Sequence, residues 1–397
     1  MIDPKKALRD VLPPVYGGIL SEDLGVPAVV ETRATCDQCE MCNKGNMPES
    51  VEAVYFRPDT KCCTYHPSLA NYLVGSILKD PNPEMAEGQR RIRERIASRI
   101  GVTPHCLAPP AKYLLLYRAS RGSAFGRSPA LNCPYLTDDI RCSIWRHRDS
   151  VCSTYFCKYD HGQAGVVFWK AFRAYLGFVE ITLSMWAAHQ IARDIQQPKW
   201  DDDKLTLEEL EDRAPNEAAY AKTWGVWLGR EEEFYTSCYL KVKALSRAQF
   251  ATIIDSTPKA QELLANLKKA YASMTNEVLP ERLTLNKKMR RLPVANGVAI
   301  TTTYNIYDSM VLEKELFDIL ERFDHDATVE ATRKELADKD GIELADDLML
   351  HLTRHAILVP PTANEGVAEP PAPVTTQTPQ QRFEERRQDT KKKKKRR

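Results

Sequence analysis

The 397-residue chain holds no run of about 18 consecutive apolar residues, which argues against a transmembrane helix. Its first ten residues carry charge early and lack the apolar stretch of a secretory signal, so a cytoplasmic location is expected. There is no Walker motif, no dinucleotide fingerprint and no nucleophile elbow, and Gly122 to Gly126 (GSAFG) is too irregular for a phosphate loop. The C-x-x-x-C-x-x-C spacing associated with radical S-adenosylmethionine enzymes is absent, as is any internal repeat. A chain-wide basic field is missing too. Lys and Arg total 56 against 54 Asp and Glu, and seven of those bases form the terminal run Lys391–Arg397. Without them, 49 bases face 54 acids, a net of −5, so the body is mildly acidic and unlike a dedicated nucleic-acid binder.

What is present is ordinary globular composition with one unusual component. Hydrophobic residues make up 43% and charged residues 28%, enough for a sizeable core and about two or three domains. The unusual component is 11 cysteines, ten of them between Cys36 and Cys157, with only Cys238 outside. In a reducing compartment disulfides are rare and grouped thiols more often hold metal. Cys106 and Cys238 stand alone and read as buried small hydrophobes.

Punctuation and periodicity divide the chain. Residues 1–35 are Pro-rich at first and read as an extended lead-in. Residues 36–160 form a cysteine-rich metal-binding domain, with a charged helix over Pro83–Ile100 that carries Ile92, Ile96 and Ile100 on one face. Lys112–Tyr117 (KYLLLY) fits either a strand or a buried helical turn. Residues 161–280 read as a helical domain on which the cysteine region packs. A long helix spans Gly165–Arg193, with Phe168, Phe172, Tyr175, Leu176, Val179, Leu183 and Trp186 near helical spacing, and further helices fall at 204–213, 216–229, 231–245, 247–255 and 258–276. In residues 283–360 a strand at Gly297–Tyr307 precedes three helices, Glu313–Arg322, Thr328–Lys339 and Ala345–His355, and a closing strand at Ile357–Pro360. Asp326 or Thr328 can cap the middle helix. Residues 361–397 almost lack apolar side chains and are expected to be a disordered tail with a basic end. The fold class expected is mainly α (α+β).

Cys36, Cys39 and Cys42 form a C-x-x-C-x-x-C run, a loop spacing that serves both zinc and iron–sulfur centres. Three thiols this close lean towards iron–sulfur, since a zinc knuckle commonly takes two per loop. A fourth ligand must come from elsewhere, and Cys62-Cys63 is the nearest source. Cys133, Cys142, Cys152 and Cys157 suffice for a second site or for half of a shared one. One or two clusters of the four-iron type are therefore expected, with zinc as the alternative. His66, His147 and His161 lie in or beside this region and read as hydrogen-bonded rather than ligating. Arg146, His147 and Arg148 can neutralise an anionic cluster, bind an anionic substrate or form a solvated loop.

The pattern C-P-Y-L at Cys133, then Cys142-Ser-Ile-Trp, nine residues, Cys152 and C-x-x-x-x-C to Cys157 resembles the YkgJ-type cysteine-cluster family, a zinc- or iron-chelating group with flagellin lysine-N-methylases among its relatives. The resemblance covers roughly residues 36–160 and implicates Cys36, Cys39, Cys42, Cys133, Cys142, Cys152 and Cys157 as ligands. It departs at Asn43, where the family usually has a second adjacent cysteine; here the adjacent pair is Cys62-Cys63. The segment from residue 283 to 360 resembles PqqD-like winged-helix domains, which bind peptides in modification systems. Its helices mix Glu330, Arg333, Lys334, Glu335 and Asp338 with Glu343, Asp346 and Asp347, which favours a peptide or protein substrate over DNA. The basic tail offers a site for an acidic partner or nucleic acid, or serves only solubility, and no membrane partner is expected. Together these features point to a redox or protein- or peptide-modifying enzyme or enzyme component. The alternatives are a non-catalytic metal- or redox-sensing protein and a structural zinc protein.

Overall fold

The computed structural model describes residues 5–7, 12–17, 19–20, 29–32, 36, 39–42, 55–120, 122–195, 206–295, 297–305, 309–324 and 326–365. The basic tail lies outside them. The chain divides into two units, residues 1–278 and 279–397. The first is mainly helical with small antiparallel sheets, and the described residues of the second combine three helices with two small antiparallel sheets. Among the described residues no helix is long and apolar enough to cross a membrane.

In the first unit, β1 (Lys5–Ala7) pairs with β2 (Val30–Thr32), and β3 (Leu69–Ala70) with β4 (Cys106–Leu107). The helices are α1 (Asn71–Lys79), α2 (Ala86–Ser98), α3 (Ala111–Ala119), α4 (Ser150–Ser153), α5 (Gly162–Ile191), α6 (Leu207–Leu210), α7 (Glu217–Trp224), α8 (Glu231–Lys243), α9 (Arg247–Ile253) and α10 (Pro258–Thr275). Local chemistry sets these ends. Thr206 and Ser246 make full capping boxes, and Asn216 and Thr257 accept from the first-turn amides, Thr257 with Pro258 at the first helical position. Asn82 caps a short turn at Pro83–Met85 that leads into α2, and Arg99 in a left-handed conformation (φ 60°) ends it. Ile92 is therefore buried on α2, whereas Ile100 lies beyond it.

The core centres on α5. Phe168, Phe172, Tyr175, Leu176, Val179 and Leu183 line its buried face, each worth roughly 1.5–3 kcal/mol removed from water. Helices α1, α8 and α10 pack around it. Gly75 permits the α1–α8 approach, because a Cβ there would lie 2.1 Å from the Tyr235 carbonyl oxygen. Val15, Tyr16, Ile19 and Leu20 of the lead-in join the same core, and the Tyr16 and Tyr72 hydroxyls are hydrogen-bonded at 2.7 Å. KYLLLY lies within helix α3, opened by Pro110 in an extended conformation, and none of its residues is fully buried.

In the second unit, β5 (Thr284–Leu285) pairs with β9 (Leu358–Val359), and β6 (Arg290–Val294), β7 (Gly297–Thr301) and β8 (Ser309–Glu313) form an antiparallel meander. Helices α11 (Lys314–Leu320), α12 (Val329–Asp340) and α13 (Asp346–Arg354) follow the meander. Thr328 caps α12. Phe317, Leu320, Leu336, Met349 and Leu352 close a separate core over the two sheets.

Candidate metal centre

A cavity of about 410 Å³ gathers the cysteines. Its wall carries Cys36, Cys39, Cys62 and Cys63 from the first half of the region, and Cys133, Cys142, Cys152 and Cys157 from the second. Cys42, Cys106 and Cys238 do not line it. Cys238 is fully buried on α8, and the half-buried Cys106 on β4 contacts the Thr103 hydroxyl at 3.6 Å. Among the described residues, no three His, Cys, Asp or Glu side chains converge on the position of a single metal ion. The eight thiols share the cavity wall, with Cys39 hydrogen-bonded to Cys157 and Cys62 to Cys63.

Short-range backbone contacts hold this wall. The Cys133 amide donates to the Cys63 carbonyl at 2.7 Å and so joins the two halves. Cys142 bridges to Leu136, and the Ser143 amide donates to Tyr135. Gly126 clamps the Phe56–Thr64 segment: its carbonyl accepts from the Arg57 amide and the Thr60 hydroxyl, and its amide donates to Thr64 Oγ1. Its φ of +72° and the Phe56 ring, 2.0 Å from where a Cβ would sit, require glycine. Cys152 sits on α4, whose first turn is capped by Asp149, with the Cys152 amide 3.0 Å from Oδ1. Ser150 Oγ donates to buried Glu180 of α5 at 2.7 Å, and Phe156 packs on Trp169 with ring centroids 4.4 Å apart. The wall is thus braced on the main core.

Burial dominates the electrostatics. It pushes the Cys133 and Cys152 thiols up, Cys142 to about 11, and Cys42 to about 12. Two thiols run the other way. Cys157 donates a hydrogen bond to Cys39, holding it at about 6, and Cys63 donates to Cys62 and lowers it. The donors Cys157 and Cys63 are raised correspondingly. Lys61 and Arg148 are the cations whose fields favour thiolate here. Arg148 is nearly buried and lies 3.7 Å from the Trp145 ring centroid. Tyr65, Phe125, Trp145 and Tyr155 add an aromatic sector to the cavity.

The neighbouring polar residues divide. His147 is tied to Asp80 at 2.7 Å and to the Ser76 hydroxyl at 2.9 Å, and Arg146 pairs with the same Asp80. Only Arg148 of that trio faces the thiols. His66 is buried between Tyr113 and Tyr135 and, like His161, does not line the cavity. Lys61, Tyr65, Phe125 and Arg173 line the cavity without forming any motif in the sequence; Tyr155, two residues before Cys157, carried the nearest signal. Comparison with protein-family models, with curated proteins and with solved structures finds no match.

Proposed function

We propose that the protein is a cysteine-ligated metal protein, iron–sulfur in type, acting as a redox or protein- or peptide-modifying enzyme or enzyme component. The observation that carries this is eight thiols around one braced cavity. Most of them are pushed towards the neutral form by burial, and the three cations of the wall, Lys61, Arg148 and Arg173, are too few to balance eight thiolates. A metal centre supplies the missing positive charge and displaces the thiol protons. Thiols spread around about 410 Å³ suit a multi-atom centre better than one zinc ion, whose tetrahedral sulfurs would crowd to about 3.8 Å from each other. Such a centre, when bound, supplies electron transfer or Lewis-acid polarisation. In this reading Lys61 and Arg148 offset anionic charge, the aromatic sector gives the cavity an apolar wall, and the Asp149 cap orients Cys152.

Kinship with the YkgJ-type family is part of this proposal and rests on the cysteine spacing alone. For the second unit, three helices followed by β9, paired back onto β5, support a winged-helix-like domain that presents a peptide or protein substrate. Its cations favour protein over DNA. Arg322 pairs with Glu335 and Asp340, Arg333 with Asp346, and Lys339 with Glu335, so these charges are already neutralised.

Anaerobic purification tests the metal assignment. Brown colour, visible charge-transfer absorbance and acid-labile sulfide are expected. A colourless protein with stoichiometric zinc overturns it.

A further inference from the structure

We propose that the cavity carries a binding site for a small organic anion, a flat ring bearing a carboxylate or phosphate, held by Arg148 and Arg173 beside the thiols. The site shares its cavity with the metal centre read above but does not depend on which metal is bound there.

Arg148 lines the cavity and is only 9% exposed. Its Nε donates to the Trp145 carbonyl at 3.1 Å, and its guanidinium lies over the Trp145 ring, 3.7 Å from the centroid. Among the described residues its terminal nitrogens meet no acceptor, and no carboxylate pairs with it. The adjacent Asp149 is engaged elsewhere, by the Cys152 amide and the Tyr65 hydroxyl. Burying a cation without a counter-ion is strongly unfavourable, and stacking on one ring offsets only part of that cost. The field that Arg148 exerts on the thiols needs no hydrogen bond. Its two terminal amino groups do, and a planar carboxylate or a phosphate accepts from both at once.

The neighbouring cations divide. Arg146 and His147 are held by Asp80, and Lys61 donates to the Cys36 carbonyl. Arg173 lines the same cavity from α5, is solvent-exposed, and pairs with no carboxylate among the described residues, which places a second cation at the cavity mouth. Arg148 is also fixed before any ligand arrives. His147 beside it is locked to Ser76 of α1, and the Ser153 hydroxyl donates to the Arg148 carbonyl at 3.0 Å. Such rigid placement lowers the ordering cost of binding. The rest of the wall suits a ring. Phe125 meets Tyr155 edge-on with centroids 5.5 Å apart, and Tyr65 meets Tyr117 at 6.2 Å. At about 410 Å³ the cavity lies at the small end of ligand sites, roughly 300–1,000 Å³, so one ring with one anionic group is the expected size.

The test is isothermal titration calorimetry of the metal-loaded full chain with phenyl phosphate, benzoate, inorganic phosphate and phenol, with metal content measured on the same samples. Phenyl phosphate or benzoate should bind at least about tenfold tighter than both inorganic phosphate, which lacks the ring, and phenol, which lacks the charge. The tighter of the two names the anionic group. Arg148→Lys keeps the charge but loses the fork and the stacking, and should weaken that binding by about tenfold or more. Arg173→Gln changes an exposed position that folding does not depend on, and should weaken it too. Unchanged affinity in both variants overturns the proposal. So does wild type that binds neither ringed anion better than phosphate and phenol, a comparison that needs no variant to fold. Bound metal without ringed-anion binding would overturn the anion site alone. Arg148-dependent binding to a protein that holds zinc would refute the iron–sulfur reading and leave the anion site standing.

Discussion

His66 should make the first unit acid-sensitive by a calculable amount. Its imidazole is almost fully buried, edge-on to Tyr113 and Tyr135 at 5.3 and 6.3 Å, and its Nε2 has no hydrogen-bond partner among the described residues. Burial, helped by the charge of Arg95, drives its pKa from the ordinary 6.5 down to about 3. The folded pKa is depressed, so the stabilising contribution is complete above about pH 6.5 and is lost as pH falls towards 3. At about pH 5 the unfolded chain has taken up the proton and the folded chain has not, which costs about 2 kcal/mol. By about pH 3 the loss approaches 5 kcal/mol. His66→Phe keeps an aromatic ring and the backbone amide that donates to the Tyr113 hydroxyl, and removes the titration. Urea unfolding of both proteins at about pH 7 and about pH 5 is the assay. Wild type should lose about 2 kcal/mol more than the variant over that interval, since other acid-sensitive groups such as His147 cancel in the comparison. Metal content should not change, because His66 is off the cavity wall. Parallel pH profiles would refute the buried neutral imidazole; loss of metal in the variant would refute the ligand set.

Gly75→Ala should destabilise by about 1–3 kcal/mol or more, although the same change inside an unconstrained helix stabilises by about 1 kcal/mol, because the new Cβ meets the Tyr235 carbonyl; urea unfolding reads the sign directly. Gly126→Ala should lower both stability and bound metal, since it strains a φ of +72° and displaces the Phe56 ring, and unchanged metal per chain would show that the clamp does not shape the site. Burial raises the Glu180 carboxyl well above the usual carboxylate range, which favours its neutral form. Glu180→Gln, which can still accept from Ser150 Oγ, should then cost under about 1 kcal/mol in thermal or urea unfolding, whereas a cost above about 3 kcal/mol would mean a buried ionised carboxylate.

The helices were legible wherever local chemistry and burial agree. Thr206, Asn216, Ser246 and Thr257 announce four helix starts with side chains that satisfy exposed amides, and the aromatic spacing of α5 marks its buried face. The second unit hid its meander. Strand β6 contains Arg290, Arg291 and Pro293, which no alternation rule selects, yet β6 is an edge strand, where a missing amide and exposed charge are tolerated. Among the described residues, the strand expected over Gly297–Tyr307 stops at Thr301, and β8 begins at Ser309. KYLLLY was ambiguous because a short apolar run has no period of its own. Its helical outcome leaves Leu115 and Leu116 largely exposed, at 42% and 48%.

The thiols themselves were legible from spacing, but which of them share one cavity was not, and the reason is geometric. Sequence spacing assigns a cysteine to its neighbours in the chain, which puts Cys152 with Cys157 and Cys39 with Cys42. In the folded protein Cys152 is fixed by the Asp149 cap of α4, and the five residues that follow carry Cys157 to the thiol of Cys39, more than a hundred positions earlier in the chain. Cys42 is turned off the cavity by its bridge to Phe56, a residue held in turn by Gly126. Each of these placements depends on a partner distant in sequence. A C-x-x-C-x-x-C loop can therefore announce grouped thiols without giving which of them line one cavity.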